Sequence, residues 1–118
     1  MAVNENLEKT VENQAREQTG QQQVRLRIDE RDLRSSYANA FRTNGTAEEV
    51  LVDFGLNLVT PAQEQGAQPE ILFKANERIV MNYFSAKRLA LTRGQLIRRY
   101  EDQFGELQLD VAKRQQPK

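Results

Sequence analysis

Apolar and polar residues alternate along four stretches of this chain, and the pattern then switches to a helical one. Val24, Leu26 and Ile28 alternate with Arg25 and Arg27, the period of two that marks a strand with one side in water. In Tyr37–Thr43, Tyr37, Asn39 and Phe41 share one side and Ala38 and Ala40 the other. Val50, Val52, Phe54, Leu56 and Leu58 give the clearest strand, opposed by Leu51, Asp53, Gly55 and Asn57. Ile71, Phe73, Ala75, Ile79 and Met81 share a parity in the fourth, while Leu72 and Val80 point the other way. From Asn82 to Gly105 the spacing is helical. Leu89, Leu96 and Tyr100 recur on one side, flanked by Ala86, Ala90, Ile97 and Phe104, with Lys87, Arg88, Arg98 and Arg99 opposite.

The fold this predicts is α+β: a four-stranded antiparallel meander followed by one long C-terminal amphipathic helix packed on one sheet face. Asn82 supplies an N-cap and Gly105 a left-handed stop, so the helix is expected over Tyr83–Phe104. Asn44-Gly45 signals a hairpin turn, lengthened by Thr46 to Glu48. Thr60–Glu70, with Pro61, Gly66 and Pro69, reads as a long hairpin loop. Two features forecast irregularity. Gly55 marks a bulge or a close backbone approach, and Glu77 breaks the apolar parity of its strand, which places a bulge near Asn76-Glu77 or Glu77 beyond the core.

The remaining segments are polar. Residues 1–23 are rich in Gln, Asn and Glu, with Leu7, Val11 and Ala15 four apart, and read as a disordered N-terminal tail. Residues 24–107 form the single α+β domain. Residues 108–118 read as a flexible C-terminal tail, although Leu107, Leu109 and Val111 alternate as if to meet a sheet edge.

Composition narrows the chemistry. The 17 basic and 17 acidic residues cancel, so no global field draws the chain to nucleic acid or acidic lipid. Cysteine and histidine are both absent, which removes disulfides, thiolate chemistry, the commonest metal ligand and the usual neutral-pH base. The glycines are scattered, without a phosphate-binding loop, so no cofactor is called for. With neither a signal peptide nor an apolar run near 20 residues, the expectation is a cytoplasmic protein without a membrane partner. Asp53 stands alone on the polar side of its strand and reads as a structural acceptor for loop amides or an arginine. The expected class is therefore non-enzymatic.

Four motifs in order, Tyr37-Ala38-Asn39, Asp53-Phe54, Ala86-Lys87-Arg88-Leu89 and Tyr100-Glu101 followed by Phe104-Gly105-Glu106, resemble those of an uncharacterised family of small bacterial and archaeal proteins. The resemblance runs from about Val24 to Leu107 and implies no reaction, cofactor or substrate. This chain has Asn82-Tyr83 where the family usually has Thr-Pro, and Arg93, beside Gly94, where the family tends to be apolar. By helical geometry Arg93 falls inside the apolar side, so it either snorkels to its rim or pairs with a sheet carboxylate such as Glu77. At the level of fold the arrangement is similar to export-chaperone subunits of the SecB type, which implies self-association and polypeptide clients.

One helix can cover only one face of a sheet that is apolar on both. The uncovered face, carrying Ala38, Ala40, Leu51, Leu72 and Val80, is the expected contact with a second copy, in a dimer or higher oligomer, or with a polypeptide partner. The competing expectation is nucleic-acid or anion binding by Lys87, Arg88, Arg98 and Arg99. Against it, the aromatic residues lie on buried parities and make no stacking platform among those cations.

Overall fold

A computed structural model describes residues 2–20 and 24–114, with side chains from residue 8 onward in the first stretch. The elements run α1 (Ala2–Thr19), β1 (Ala40–Gly45), β2 (Glu49–Thr60), β3 (Glu70–Asn82), α2 (Tyr83–Phe104) and α3 (Val111–Arg114). The chain divides into two units, Met1–Ala86 and Lys87–Lys118.

In the first unit, β1 pairs antiparallel with β2, and β2 with β3. Among the described residues the sheet is a meander of three strands, not the four expected. Val24–Ile28 keeps its alternation, Val24 and Leu26 half-buried beside exposed Arg25 and Arg27, but no strand among the described residues lies next to it. Alternation prescribes which side chains share a face; only a neighbouring backbone turns the segment into a strand. The second expected strand starts and ends later than its side-chain pattern implies. Asn39 closes the β1–β2 pairing by donating its N–H to the Gly55 carbonyl (3.1 Å) and accepting the Asn57 N–H on its side chain (2.9 Å).

The β1–β2 turn falls just beyond Asn44-Gly45. The Thr46 N–H donates to the Glu49 carbonyl (2.9 Å), and the Thr46 hydroxyl accepts the Glu49 N–H (3.0 Å). Neither Asn44 nor Gly45 has a positive φ. Gly45 serves a different need: a Cβ there would stand 2.5 Å from the Tyr83 hydroxyl, which donates to the Thr46 carbonyl (2.7 Å). The first residue of α2 is thus tied to the first hairpin.

The stretch expected to be a tail carries α1, ending in Gly20 at φ 70°, whose N–H closes on the Arg16 carbonyl (2.9 Å). Good helix formers without interior Gly or Pro, and an ion pair between Glu12 and Arg16 one turn apart, favour it.

Both ends of α2 are set by their caps. The Asn82 side chain accepts the Ser85 N–H (2.8 Å), and Gly105, at φ 97°, closes the last turn on the Glu101 carbonyl (2.8 Å). Replacing Asn82 with alanine is expected to cost about 1 kcal/mol, read as a lower thermal midpoint with unchanged helix content in the folded protein. In the second unit, the expected edge strand is instead irregular over residues 105–110, followed by α3, which Asp110 caps by accepting the Ala112 N–H (3.0 Å).

Among the described residues no apolar side chain is buried. The half-buried ones include Val50, Val52, Phe54 and Leu56 of β2 and Met81 of β3.

Candidate functional site

Register decides which side chains share a face. β2 pairs Leu51 with Val80, Asp53 with Arg42 and Arg78, and Gly55 with Ala40 and Ala75. These residues make the first face, which continues through Phe73 and Ile71 opposite Asn57 and Val59. The second face carries Val50, Val52, Phe54, Leu56 and Leu58, with Phe41 from β1 and Leu72, Ile79 and Met81 from β3.

A bulge intervenes. Phe54 pairs with Glu77 and Gly55 with Ala75, which leaves Asn76 unpaired. The extra residue reverses the parity of β3 at that point. Ile71, Phe73 and Ala75 therefore lie on the first face, and Ile79 and Met81 on the second, although all five share a parity in sequence.

The expected partner face changes accordingly. Ala40, Leu51 and Val80 are brought together on the first face. Leu72 lies on the opposite face, across from Leu58, because the bulge separates it from Val80. Ala38 precedes β1 and lines a depression with Phe54, Glu77 and Ile79, so it too belongs with the second face.

The first face also holds a charged cluster. Arg78 grips Asp53 with two bonds, Nε to Oδ1 (2.6 Å) and Nη2 to Oδ2 (3.0 Å), and Arg42 Nε donates to Oδ2 (2.7 Å). Asp53 is 5% exposed, while both arginines are more than half exposed at their side chains. Arg78 first, and Arg42 second, hold the Asp53 carboxyl far below the usual carboxylate range, against the opposing effect of burial. Arg78 is raised in turn by Asp53. The Arg42 guanidinium also stands over the Phe73 ring, 5.8 Å from its centroid. One residue from each strand thus meets at a single carboxylate, which cross-links the sheet.

Sequence reasoning identified Asp53 as an acceptor but not its donors. Arg42 could have been found by folding the first hairpin about Thr46–Glu48. Arg78 could not, because its position depends on the register beyond a long loop.

In the second unit, Lys87 and Arg98 stand eleven residues apart, as do Arg88 and Arg99, about 16 Å along a helix axis at 1.5 Å per residue. The candidate anion-binding residues therefore form two separated pairs. Arg98 and Arg99 line a shallow depression with Gln95 and Asp102, whose carboxylate puts negative charge where an anion would sit. Arg93 stands exposed on α2. No group of three or more potential metal ligands occurs among the described residues. No helix there is long and apolar enough to cross a membrane.

Among known proteins, the model of a family described as "Protein of unknown function (DUF3467)" matches residues 5–109. No curated protein and no solved structure matches the chain, so the likeness to SecB-type subunits has no match behind it.

Proposed function

We propose that this chain, which belongs to the DUF3467 family and so inherits no assigned reaction, is a non-enzymatic, self-associating interaction module. One observation carries the reading: among the described residues no apolar side chain is buried. Phe41 and Ile71 are each 66% exposed, and the helical arc of Leu89, Leu96, Ile97, Tyr100 and Phe104 has no buried member either. A chain of this length normally withdraws about two-thirds of its surface from water on folding, and apolar burial at about 25 cal/mol per Å² is what offsets chain entropy. The burial missing from one copy is supplied by another. In that assembly the sheet gains a fourth strand, and the face of Ala40, Leu51 and Val80 meets the second copy.

The charged cluster supports this role. Asp53 enters an interface already paired, and arginine is among the residues enriched at such surfaces. The same pairing argues against acid–base work, since a carboxylate held by two guanidiniums is a poor proton carrier near neutral pH. Zero net charge lets copies approach without mutual repulsion. A polypeptide client seated on the same apolar surface is a variant of this reading.

Sedimentation velocity at micromolar concentration is the test. A dimer or larger species is expected, and Leu51→Lys is expected to weaken it at least tenfold, about 1.4 kcal/mol. Neutralising Arg98 and Arg99 should leave the assembly unchanged. A stable, folded monomer would overturn the proposal. Salt-dependent binding to a generic duplex, with a slope that flattens when Arg98 and Arg99 are neutralised, would favour the nucleic-acid reading instead.

A further inference from the structure

Among the described residues, two stretches of the first unit keep backbone groups without a partner strand. Among the described residues β3 has β2 on one side and no strand on the other, so one edge of a 13-residue strand keeps its N–H and C=O groups open. Long apolar edges of this kind are templates for another strand, and proteins that stay monomeric cover or shorten them. The other element is Val24–Ile28. It has the alternation of a strand, yet no backbone hydrogen bond joins it to a described residue.

The two elements fit in length. The bulge at Asn76 divides β3 into Glu70–Ala75 and Glu77–Asn82, six residues each, and Val24–Ile28 is five residues long. It can pair with either run without crossing the irregularity. Charge selects the orientation of its faces. The first face already bears the two arginines around Asp53, whereas on the second face β3 presents Glu70 and Glu77 against Lys74. Arg25 and Arg27 are therefore favoured on the second face. Val24, Leu26 and Ile28 then extend the first face beside the apolar residues of β3.

The linker is suitably placed. Asp32, Arg34, Ser36 and Ala38 line a depression with Phe54, Glu77 and Ile79, so the chain leading back from β1 passes over the second face as far as β3. Val24–Ile28 comes from that linker and remains unpaired with its own sheet.

We propose that Val24–Ile28 of one copy adds to the open edge of β3 in a second copy as its fourth strand, each copy giving one strand and receiving one. The exchange is closed and two-fold, so it covers the β3 edge of each copy and ends at a dimer. It is a β-augmentation in which backbone bonds supply affinity and the alternate side chains supply register. The inference rests on the self-association proposed above and specifies how it is built.

The absence of cysteine makes the test direct. Protein carrying Leu26→Cys is mixed with protein carrying Phe73→Cys, and separately with Val80→Cys, and treated with a short bismaleimide. A product of twice the chain mass is expected from at least one mixture. Amide exchange over Val24–Ile28 is expected to slow about tenfold or more between dilute protein and the assembled state. Leu26→Pro removes a donor from the added strand and should abolish both the protection and the dimer, while Leu26→Val should keep both. Fast exchange at these amides in a protein that sediments as a dimer would overturn the strand exchange and leave self-association standing. A cross-link found only within single chains of the double variants Leu26→Cys/Phe73→Cys and Leu26→Cys/Val80→Cys would do the same. A monomer at every concentration would overturn the underlying reading as well.

Discussion

Replacing Gly55 with valine is expected to unfold the sheet. Gly55 is buried opposite the bulge, and a Cβ built on it overlaps the Lys74 carbonyl oxygen and lies 2.8 Å from the Ala75 Cα. Both neighbours are backbone atoms of a paired strand, so neither can swing aside as a flexible side chain would. The φ of Gly55 is not positive. The requirement is therefore for space, and alanine is already too large. Gly55→Ala is expected to cost about 1–3 kcal/mol, the range of ordinary overpacking, and the branched valine more. Circular dichroism at neutral pH should show the strand signal of Gly55→Val lost or its melting far below that of the unaltered chain. A second change provides the check. Deleting Asn76 removes the residue that pushes the Lys74–Ala75 backbone toward Gly55, and it leaves Ile71, Phe73 and Ala75 on their present face. Gly55→Val combined with that deletion is expected to melt well above Gly55→Val alone. A Gly55→Val protein that melts like the unaltered chain would show that the backbone does not approach there.

The bulge also marks where the sequence became hard to read. Glu77 announced an irregularity by falling on an apolar parity, and Gly55 announced a close approach. Both signals were correct and local. Their consequence was not local, because one extra residue moves every earlier residue of β3 to the other face. Sequence parity therefore groups Leu72 with Val80, although the two point apart. The ends of α2 were legible for the opposite reason: Asn82 and Gly105 act on their own helix within one turn. Val24–Ile28 shows the limit of periodicity itself. Its alternation is as clean as that of any strand in the sheet, but pairing is a property of two segments, and only one is visible in the pattern. For α1 the bias ran the other way. Few apolar anchors suggested a tail, while helix-forming side chains and the Glu12–Arg16 pair outweighed their scarcity. At the candidate site, the lone carboxylate was evident from the polar parity of Asp53. Its meaning depended on two registers that bring Arg42 and Arg78 to it.

That meeting of three strands at one carboxylate makes the protein sensitive to acid. In the folded chain the Asp53 carboxyl is held ionised by Arg78 and then Arg42 well below the range where it protonates when unfolded. The folded state therefore binds fewer protons than the unfolded state in acid. The contribution of Asp53 to stability is complete above its unfolded value, near 3.8, and is lost as pH falls below that toward the lower folded value. Urea unfolding followed from pH 7 to pH 3 is expected to show a midpoint that drops below about pH 4. Asp53→Asn should lower the thermal midpoint at pH 7, by about 5–10 °C for one destabilising change in a chain of this size. It leaves Arg42 and Arg78 converging on a group with no charge to hold them. It should also flatten the drop in acid, because the group that causes the drop is gone. Asp29, whose carboxyl is likewise lowered by Arg31, is the comparison. That pair is exposed and local, so Asp29→Asn is expected to leave the acid profile nearly unchanged. The same contrast should appear in sedimentation. Asp53→Asn places two uncompensated cations on the face assigned to the second copy and should promote dissociation. Replacing Arg42, Asp53 and Arg78 together with leucine removes charge and repulsion at once and should restore the assembly. If Asp53→Asn keeps both the acid profile and the oligomer of the unaltered chain, the arginines merely rest on Asp53, and the sheet is held by its backbone ladder alone.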